Sequence, residues 1–219
     1  RQLAAGTGTA LSGLIGSGVN LGPAVARALS IPYAVVEASF ATKQANGPWA
    51  IGHRGVATAL KAADLVIGLN SRDREGVLPR LQGPDRYLQL APFIDCAPFA
   101  RAALDRARHR AVLAARLGTR PRTPILLAVG MMRPGAKLAS YRLLARALQM
   151  LVGECWRLAI VGDGAEEIAV REAFRPLEDR VSFLGRQAMD DVPALYAGAD
   201  LLVWPAIKEA MGMCFLEAQ

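Results

Sequence analysis

The sequence predicts an α/β protein that contains two parallel sheets, each flanked by helices. Short apolar runs bounded by turn residues recur along the chain with helical stretches between them, the alternation expected of parallel strands joined by crossover helices. These runs fall into two series, separated by an arginine-rich segment and by "GTRPRTP", whose Gly and Pro residues interrupt regular secondary structure. Clusters of Pro and Gly are typical of domain boundaries. We therefore predict two Rossmann-like domains, residues 1–118 and 119–219.

The predicted elements follow from the apolar runs and from helical spacing of apolar residues. In the first series we expect strands at residues 32–39, 63–70 and 86–92 and a helix at 53–64. In the second series we expect strands at residues 124–130, 156–164, 181–185 and 200–206 and helices at 137–154 and 190–199.

The composition is that of a folded protein rather than a disordered one, because 53% of the 219 residues are hydrophobic and 21% are charged.

The three cysteines, Cys96, Cys155 and Cys214, are far apart, in neither a metal-ligand spacing nor a disulfide framework. This predicts a reducing, cytoplasmic location. The N-terminus has neither a starting Met nor a signal sequence, which predicts a fragment truncated at both ends.

Charge is spread unevenly along the chain. Residues 1–123 hold 16 Lys+Arg and 7 Asp+Glu, a net +9, whereas residues 124–219 hold 10 and 12, a net −2. Seven arginines and one aspartate lie between Arg101 and Arg122. Such a segment suits an anionic partner or a solvated helix face. Nucleic-acid binding is the less favoured alternative, because these residues include no aromatic side chain for stacking on bases.

Three loops are expected where strands end and helices begin, the place where parallel sheets bind anions. The first, "MMRPGAK", carries Arg133 and Lys137, two cations that suit a diphosphate gaining charge as it leaves. The second, "VGDGAEE", holds Gly162, Asp163 and Gly164. It departs from a dinucleotide fingerprint at its third glycine position, so a tight strand-to-helix turn is the alternative to nucleotide binding.

The third loop is "KEAMGMCFLEAQ", in which Glu209 lies in the loop and Glu217 about one turn into a helix. One carboxylate in the loop and one in the helix can face the same ligand at different depths in the site. Together they can accept hydrogen bonds from two sets of sugar hydroxyls. The alternative is a loop glutamate and a first-turn glutamate that complements the helix dipole. Cys214 lies at the start of this helix, where a thiolate is stabilised. The tryptophans, including Trp204, are expected to pack in cores or interfaces.

The order "AVGMMRPGAK", "LAIVGDG", "VSFLG", "LYAGADLLVWPA" and "EAMGMCFLEA" resembles the donor-binding domain of glycosyltransferase family 4, over residues 124–219. The segments "IPYAVVEAS", "AADLVIGLNSRD" and "LAPFIDCAPF" resemble the latter part of that family's acceptor domain. The resemblance implies a GT-B-like fold, in which two Rossmann-like parallel-sheet domains face a cleft, both incomplete in this chain.

The resemblance also implies residue roles. Glu217 would bind the ribose hydroxyls, Glu209 the donor sugar, and Lys137 with Arg133 the diphosphate. Relatives carry an arginine where this chain has Met131, so Arg133 stands as its substitute. The remaining donor-binding positions are Gly162, Asp163, Gly164, Gly185, Met211, Gly212 and Met213.

The activity implied is a retaining transfer of a sugar from a nucleoside diphosphate sugar to a glycan or lipid-linked saccharide. No cofactor is implied, and the chain holds no Asp-x-Asp, the pair that commonly binds a metal on the diphosphate, which predicts metal independence. The basic first half predicts attraction to an anionic membrane surface if the acceptor is membrane-bound. A non-catalytic relative that binds nucleotide sugars is the alternative.

Overall fold

The computed structural model describes residues 17–42, 45–48, 50–120, 122–209 and 211–219. It divides into two compact units, with Pro92 the last residue of the first and Phe93 the first residue of the second. The predicted domain boundary, 118/119, lies later in the chain. The difference comes from two helices, α4 (Ala97–Leu104) and α5 (Arg106–Arg116), which pack against a helix of the second unit.

The first unit contains a three-stranded parallel sheet, in which the neighbouring strands are β1 (Ala34–Val36), β2 (Leu65–Gly68) and β3 (Tyr87–Gln89), in that order. Its strands lie inside the three predicted runs but are shorter than those runs. Val35, Leu60 and Val66 lie in its buried core. The elements are α1 (Ser17–Leu29), β1 (Ala34–Val36), α2 (Ala50–Ala62), β2 (Leu65–Gly68), α3 (Arg74–Val77) and β3 (Tyr87–Gln89), with single 3-10 turns at Ser71–Asp73, Leu78–Arg80 and Pro84–Arg86.

The second unit contains α4, α5 and a four-stranded parallel sheet. Its strands lie in the order β6 (Val181–Gly185), β5 (Arg157–Val161), β4 (Ile125–Val129) and β7 (Leu201–Leu202). The four predicted strands of this series are all present. Helix α7 (Glu167–Phe174) follows the loop "VGDGAEE", where a helix was expected without stated bounds. After α5 the elements are β4 (Ile125–Val129), α6 (Ala136–Gln149), β5 (Arg157–Val161), α7 (Glu167–Phe174), a 3-10 segment (Arg175–Arg180), β6 (Val181–Gly185), α8 (Val192–Gly198), β7 (Leu201–Leu202) and α9 (Met213–Glu217).

The central strands β4 and β5 are buried on both faces, as their apolar runs predict. Alternate residues point to opposite sides of the sheet. Leu158 and Ile160 of β5 belong to one core cluster, together with Tyr141 of α6, while Ala159 joins a second cluster that includes Leu113 of α5. Helices on both faces therefore hold the central strands in place.

The arginine-rich helix α5 is attached to the sheet through Asp200, the residue before β7. Arg110 lies 2.5 Å from Oδ2 of Asp200 and donates to the carbonyl oxygen of Thr123 at 2.7 Å. Asp200 also accepts the Ile125 amide at 2.7 Å. Part of the positive charge of this segment therefore stabilises the second unit. Among the described residues, no helix is both long enough and apolar enough to cross a membrane.

Candidate functional site

The candidate site lies at the carboxyl edge of the second sheet, between β4 and β7. The chain passes from β4 to β5 and β6 on one side, whereas β7 pairs with β4 on the other side, with Leu126 opposite Leu201. The loops that leave β4 and β7 therefore diverge at this point. In open parallel sheets this divergence creates the crevice in which ligands bind.

The loop after β4 leads into α6 through Gly135. This glycine precedes the first helical residue with φ of +79°, and a Cβ atom there would contact nothing within 4 Å. Its role is conformational, because residues with a Cβ rarely adopt this backbone. Lys137 follows in the first turn of α6, close to the helix N-terminus, where the free N–H groups and the dipole favour an anion.

Lys137 and Glu209, predicted separately, are brought into direct contact. Nζ of Lys137 lies 2.5 Å from Oε2 of Glu209, and the side chains are 22% and 21% exposed. The indole nitrogen of Trp204 donates to the same oxygen at 3.3 Å. The Lys137 ammonium also lies 5.3 Å from the centroid of the Trp204 ring, within the range of a cation–π interaction. The three side chains form one partly buried cluster.

The pKa of the Glu209 carboxyl lies below its ordinary value. Burial acts to raise this pKa, but the hydrogen bonds from Lys137 and Trp204 and the charges of Lys137 and Arg133 outweigh it. Glu209 is therefore ionised at neutral pH. Its Oε1 atom has no hydrogen-bond partner among the described residues, so this atom can accept a ligand hydroxyl.

The Trp204 ring packs against α6, and it has room in this position because Gly130 has no side chain. The ring of Tyr141 contacts it edge-on, with centroids 4.8 Å apart, and the Tyr141 hydroxyl donates to the Gly130 carbonyl at 2.7 Å. A Cβ atom on Gly130 would lie 3.2 Å from the Trp204 ring. The tryptophan therefore does pack in the core, as predicted, and it also orients a site carboxylate, which the sequence reading missed.

The glycines of "VGDG" allow the β5–α7 loop to pass close to the β4–α6 loop. Gly162 and Gly164 have φ of +133° and +149°. A Cβ atom on Gly162 would overlap the Gly130 carbonyl oxygen, and one on Gly164 would overlap that of Met132. The Met132 amide donates to the carbonyl of Asp163 at 2.7 Å. These glycines have a packing role, and their predicted donor contacts stay a prediction.

Glu217, the second predicted carboxylate, is held by a helix that the sequence reading did not connect with it. The hydroxyl of Tyr196, in α8, donates to Oε2 of Glu217 at 2.6 Å. Gly212 precedes α9 in a left-handed conformation, φ +62°, and Met213 is the first helical residue. A Cβ atom on Gly212 would crowd the ring of Phe215 at 2.8 Å.

The prediction of a stabilised thiolate at Cys214 is wrong. Burial raises the pKa of this thiol, and the negative charges of Glu209 and Glu217 raise it further. These effects exceed the lowering by Lys137 and by the backbone hydrogen bond at the helix start. Cys214 is therefore a buried packing residue close to both site carboxylates.

The remaining predicted positions line the same edge of the sheet. Arg133 and Asp163 are exposed in the loops after β4 and β5. Gly185 ends β6 with φ of +68° and open space around its Cα, and Met211 is partly buried before α9. The described residues contain no cluster of three or more His, Cys, Asp or Glu side chains that could hold a metal ion.

Residues 123–219 match the family described as Glycosyl transferases group 1. The predicted resemblance to glycosyltransferase family 4 is confirmed. All six of the predicted site positions from Arg133 to Gly185, and those from Glu209 to Glu217, lie inside the part that matches this glycosyltransferase family. The chain is 31% identical to a D-inositol 3-phosphate glycosyltransferase of Salinispora arenicola over 168 residues, which make up 72% of this chain and 38% of that relative.

Solved glycosyltransferase structures share the fold. Anabaena HepE, crystallised in complex with UDP and glucose, has a TM-score of 0.66 at 18% identity and covers 92% of this chain and 54% of its own. A UDP-forming α,α-trehalose-phosphate synthase from Burkholderia xenovorans, in complex with glucose-6-phosphate, has a TM-score of 0.67 at 14% identity, with the same two coverages. The GT-B-like α/β class predicted from the sequence is confirmed.

Proposed function

We propose that the protein is a retaining glycosyltransferase that moves a sugar from a nucleoside diphosphate sugar to a saccharide or lipid-linked acceptor. The observation that carries this proposal is the contact between Lys137 and Glu209 at the divergence of β4 and β7. It joins a cation suited to a diphosphate and a carboxylate suited to sugar hydroxyls. A donor substrate presents these two chemical groups side by side.

Both side chains can bind a ligand without separating. An ammonium group has three N–H donors and a carboxylate has two acceptor oxygens. Lys137 uses one donor on Oε2 of Glu209, which leaves donors for phosphate oxygens and Oε1 of Glu209 for a hydroxyl. Arg133 supplies a further exposed cation in the same loop. Glu217, held by Tyr196, is the proposed contact for the ribose.

In the proposed reaction the acceptor oxygen forms a bond to the anomeric carbon on the face that the diphosphate leaves. The bond from this carbon to the diphosphate oxygen breaks, and its electron pair passes to the diphosphate. The departing oxygen then lies next to the acceptor hydroxyl and can take its proton, so no side-chain nucleophile is required. Lys137 and the N-terminus of α6 stabilise the charge that develops on the diphosphate.

The test compares Lys137→Ala with the wild-type protein. If Lys137 stabilises the leaving diphosphate, the variant lowers kcat more than it weakens donor binding, because only interactions that are stronger in the transition state speed the chemical step. Arg146→Ala removes an exposed cation from the same helix, α6, and is the matched control. A raised KM with unchanged kcat for Lys137→Ala would contradict this role.

The nucleotide is identified by thermal shift with UDP, GDP and ADP. A ligand at one hundred times its dissociation constant stabilises a protein by about 2.7 kcal/mol. Binding of a nucleotide sugar without turnover in the presence of saccharide acceptors would favour the non-catalytic alternative.

Nucleic-acid binding is not favoured by the arginine-rich segment, because the fold itself uses several of its charges. Arg106 and Arg110 contact Asp200, and Arg116 donates to Gln187 at 3.2 Å. The cytoplasmic location, the contact with anionic lipid, metal independence and the acceptor role of residues 1–118 stay predictions.

A further inference from the structure

Ser140 is a buried polar residue of α6 that connects this helix with residues 203–209 of the β7–α9 loop. The residue is 1% exposed. Its hydroxyl donates to the carbonyl oxygen of Ala136 at 2.9 Å, and its oxygen accepts the backbone amide of Ile207 at 3.0 Å. Because the first bond fixes the hydroxyl hydrogen, a lone pair of the oxygen is directed to the loop. The helix that carries Lys137 is thereby tied to the loop that carries Glu209.

Ile207 lies between two residues whose backbone is strained. Ala206 and Lys208 have φ of +55° and +50°, a left-handed conformation that residues with a Cβ rarely adopt. Such a conformation persists only where surrounding contacts hold it. Ile207 also lines a groove of about 490 Å³ together with Arg142 and other residues of α6 and α7.

The strained segment decides where the Glu209 carboxylate lies. The amide of Glu209 donates to the Ala206 carbonyl at 3.1 Å and closes the turn. Its side chain then meets Lys137, which lies on α6 three residues before Ser140, so both contacts come from neighbouring positions on one helix. The loop is therefore bound to α6 at Ile207 through its backbone and at Glu209 through a side chain.

We propose that Ser140 is a positioning residue that holds the β7–α9 loop in its strained conformation and so places the Glu209 carboxylate against Lys137. This inference rests on the proposed function of the site. It assigns to the Ser140 hydroxyl an effect on sugar transfer through the loop, with no contact to substrate.

The first test is Ser140→Ala. We expect kcat to fall by up to about 100-fold, because a misplacement of about 1 Å in a positioning group can cost a factor of that order. Affinity for whichever of UDP, GDP and ADP stabilises the wild-type protein should stay within about threefold, because the ribose contact at Glu217 is made by α9. Ser182→Ala in β6, at the opposite edge of the sheet from β7, is the matched control and should leave kcat unchanged. Wild-type kcat in Ser140→Ala would overturn the proposal.

The second test asks whether backbone strain is what Ser140 opposes. Glycine adopts positive φ without steric cost. Adding Lys208→Gly to Ser140→Ala should therefore raise kcat toward the wild-type value. Adding Lys208→Ala, which removes the same charge but keeps a Cβ, should not. Equal recovery by the two substitutions would overturn the strain argument.

A second variant and a measurement without substrate distinguish failure of the Ser140 proposal from failure of the proposed function. If Ser140→Ala does not fold, Ser140→Cys keeps a weaker acceptor of similar size and should show a smaller loss of kcat with the same recovery by Lys208→Gly. Hydrogen exchange of the Ile207 amide is measured without substrate and should be faster in either variant. If the wild-type protein transfers no sugar, the proposed function fails, while unchanged Ile207 exchange would overturn the role of Ser140 by itself.

Discussion

The hydroxyl of Tyr196 donates a hydrogen bond of 2.6 Å to Oε2 of Glu217, and this bond fixes the carboxylate of one helix from another. Burial raises the pKa of Tyr196 far above its ordinary value, and the hydrogen bond and charge of Glu217 raise it further. The phenol therefore stays protonated and remains a donor. Phe99 packs against the Tyr196 ring with centroids 5.7 Å apart, which restricts its motion.

Tyr196→Phe is expected to weaken nucleoside diphosphate binding by less than Glu217→Ala does. The first change removes a bond that only orients the Glu217 carboxylate. The second removes the hydrogen bonds that this charged group makes to the ribose, about 1.5–3 kcal/mol. Isothermal titration calorimetry measures both. Tyr87→Phe, which removes a phenol hydroxyl from the first unit, serves as the control. Unchanged affinity in Glu217→Ala would contradict the ribose contact.

Glu209 makes the stability of the protein depend on pH on the acid side. Its pKa in the folded protein is lowered below 4.5, its ordinary value. A group with a lowered pKa stabilises the folded state fully above its ordinary value, and this contribution is lost as the pH falls through the lowered pKa. Glu209→Gln should therefore reduce the loss of stability between pH 5 and more acid values, as measured by urea unfolding at each pH. Identical pH profiles for the two proteins would contradict the ion pair with Lys137.

Gly162→Ala is expected to destabilise the second unit by about 3 kcal/mol or more. The new Cβ would overlap the Gly130 carbonyl oxygen and would force alanine to φ of +133°. Gly153→Ala is the matched control, because nothing lies within 4 Å of a Cβ at that position. Thermal unfolding of both variants measures the difference. Equal melting temperatures would show that the two loops are not packed as described.

Asp200→Ala is expected to destabilise the second unit by about 2–4 kcal/mol. Its carboxylate accepts the Ile125 amide at 2.7 Å and faces Arg110 at 2.5 Å, so its loss leaves an amide and a partly buried cation without their partner. Asp190→Ala, an exposed aspartate in the loop before α8, is the control. Chemical denaturation compares the two. A destabilisation no larger than that of the control would show that Asp200 does not attach α5 to the sheet.

Several features of the fold and site were predictable because they are local. An apolar run buried on both faces identifies a parallel strand from its own residues, and every strand in the described part of the chain lies within a predicted run. A loop at the end of such a strand lies at the carboxyl edge of the sheet. The positions of Lys137, Glu209 and Glu217 at this edge were therefore predictable from the sequence. Their roles at the site are implied by the resemblance to the family and stay predictions.

What the sequence by itself determined is thus the alternation of strands and helices and the set of polar residues at the strand ends, since both depend on neighbouring residues. Only the tertiary structure decided which of these residues meet. Lys137 and Glu209 are 72 positions apart, and they touch because β7 pairs with β4 rather than with β6, a choice made by packing over the whole sheet. The same reason explains Tyr196 beside Glu217. It also explains the raised pKa of Cys214, because the burial that outweighs the local effect of a helix start comes from packing in the folded unit.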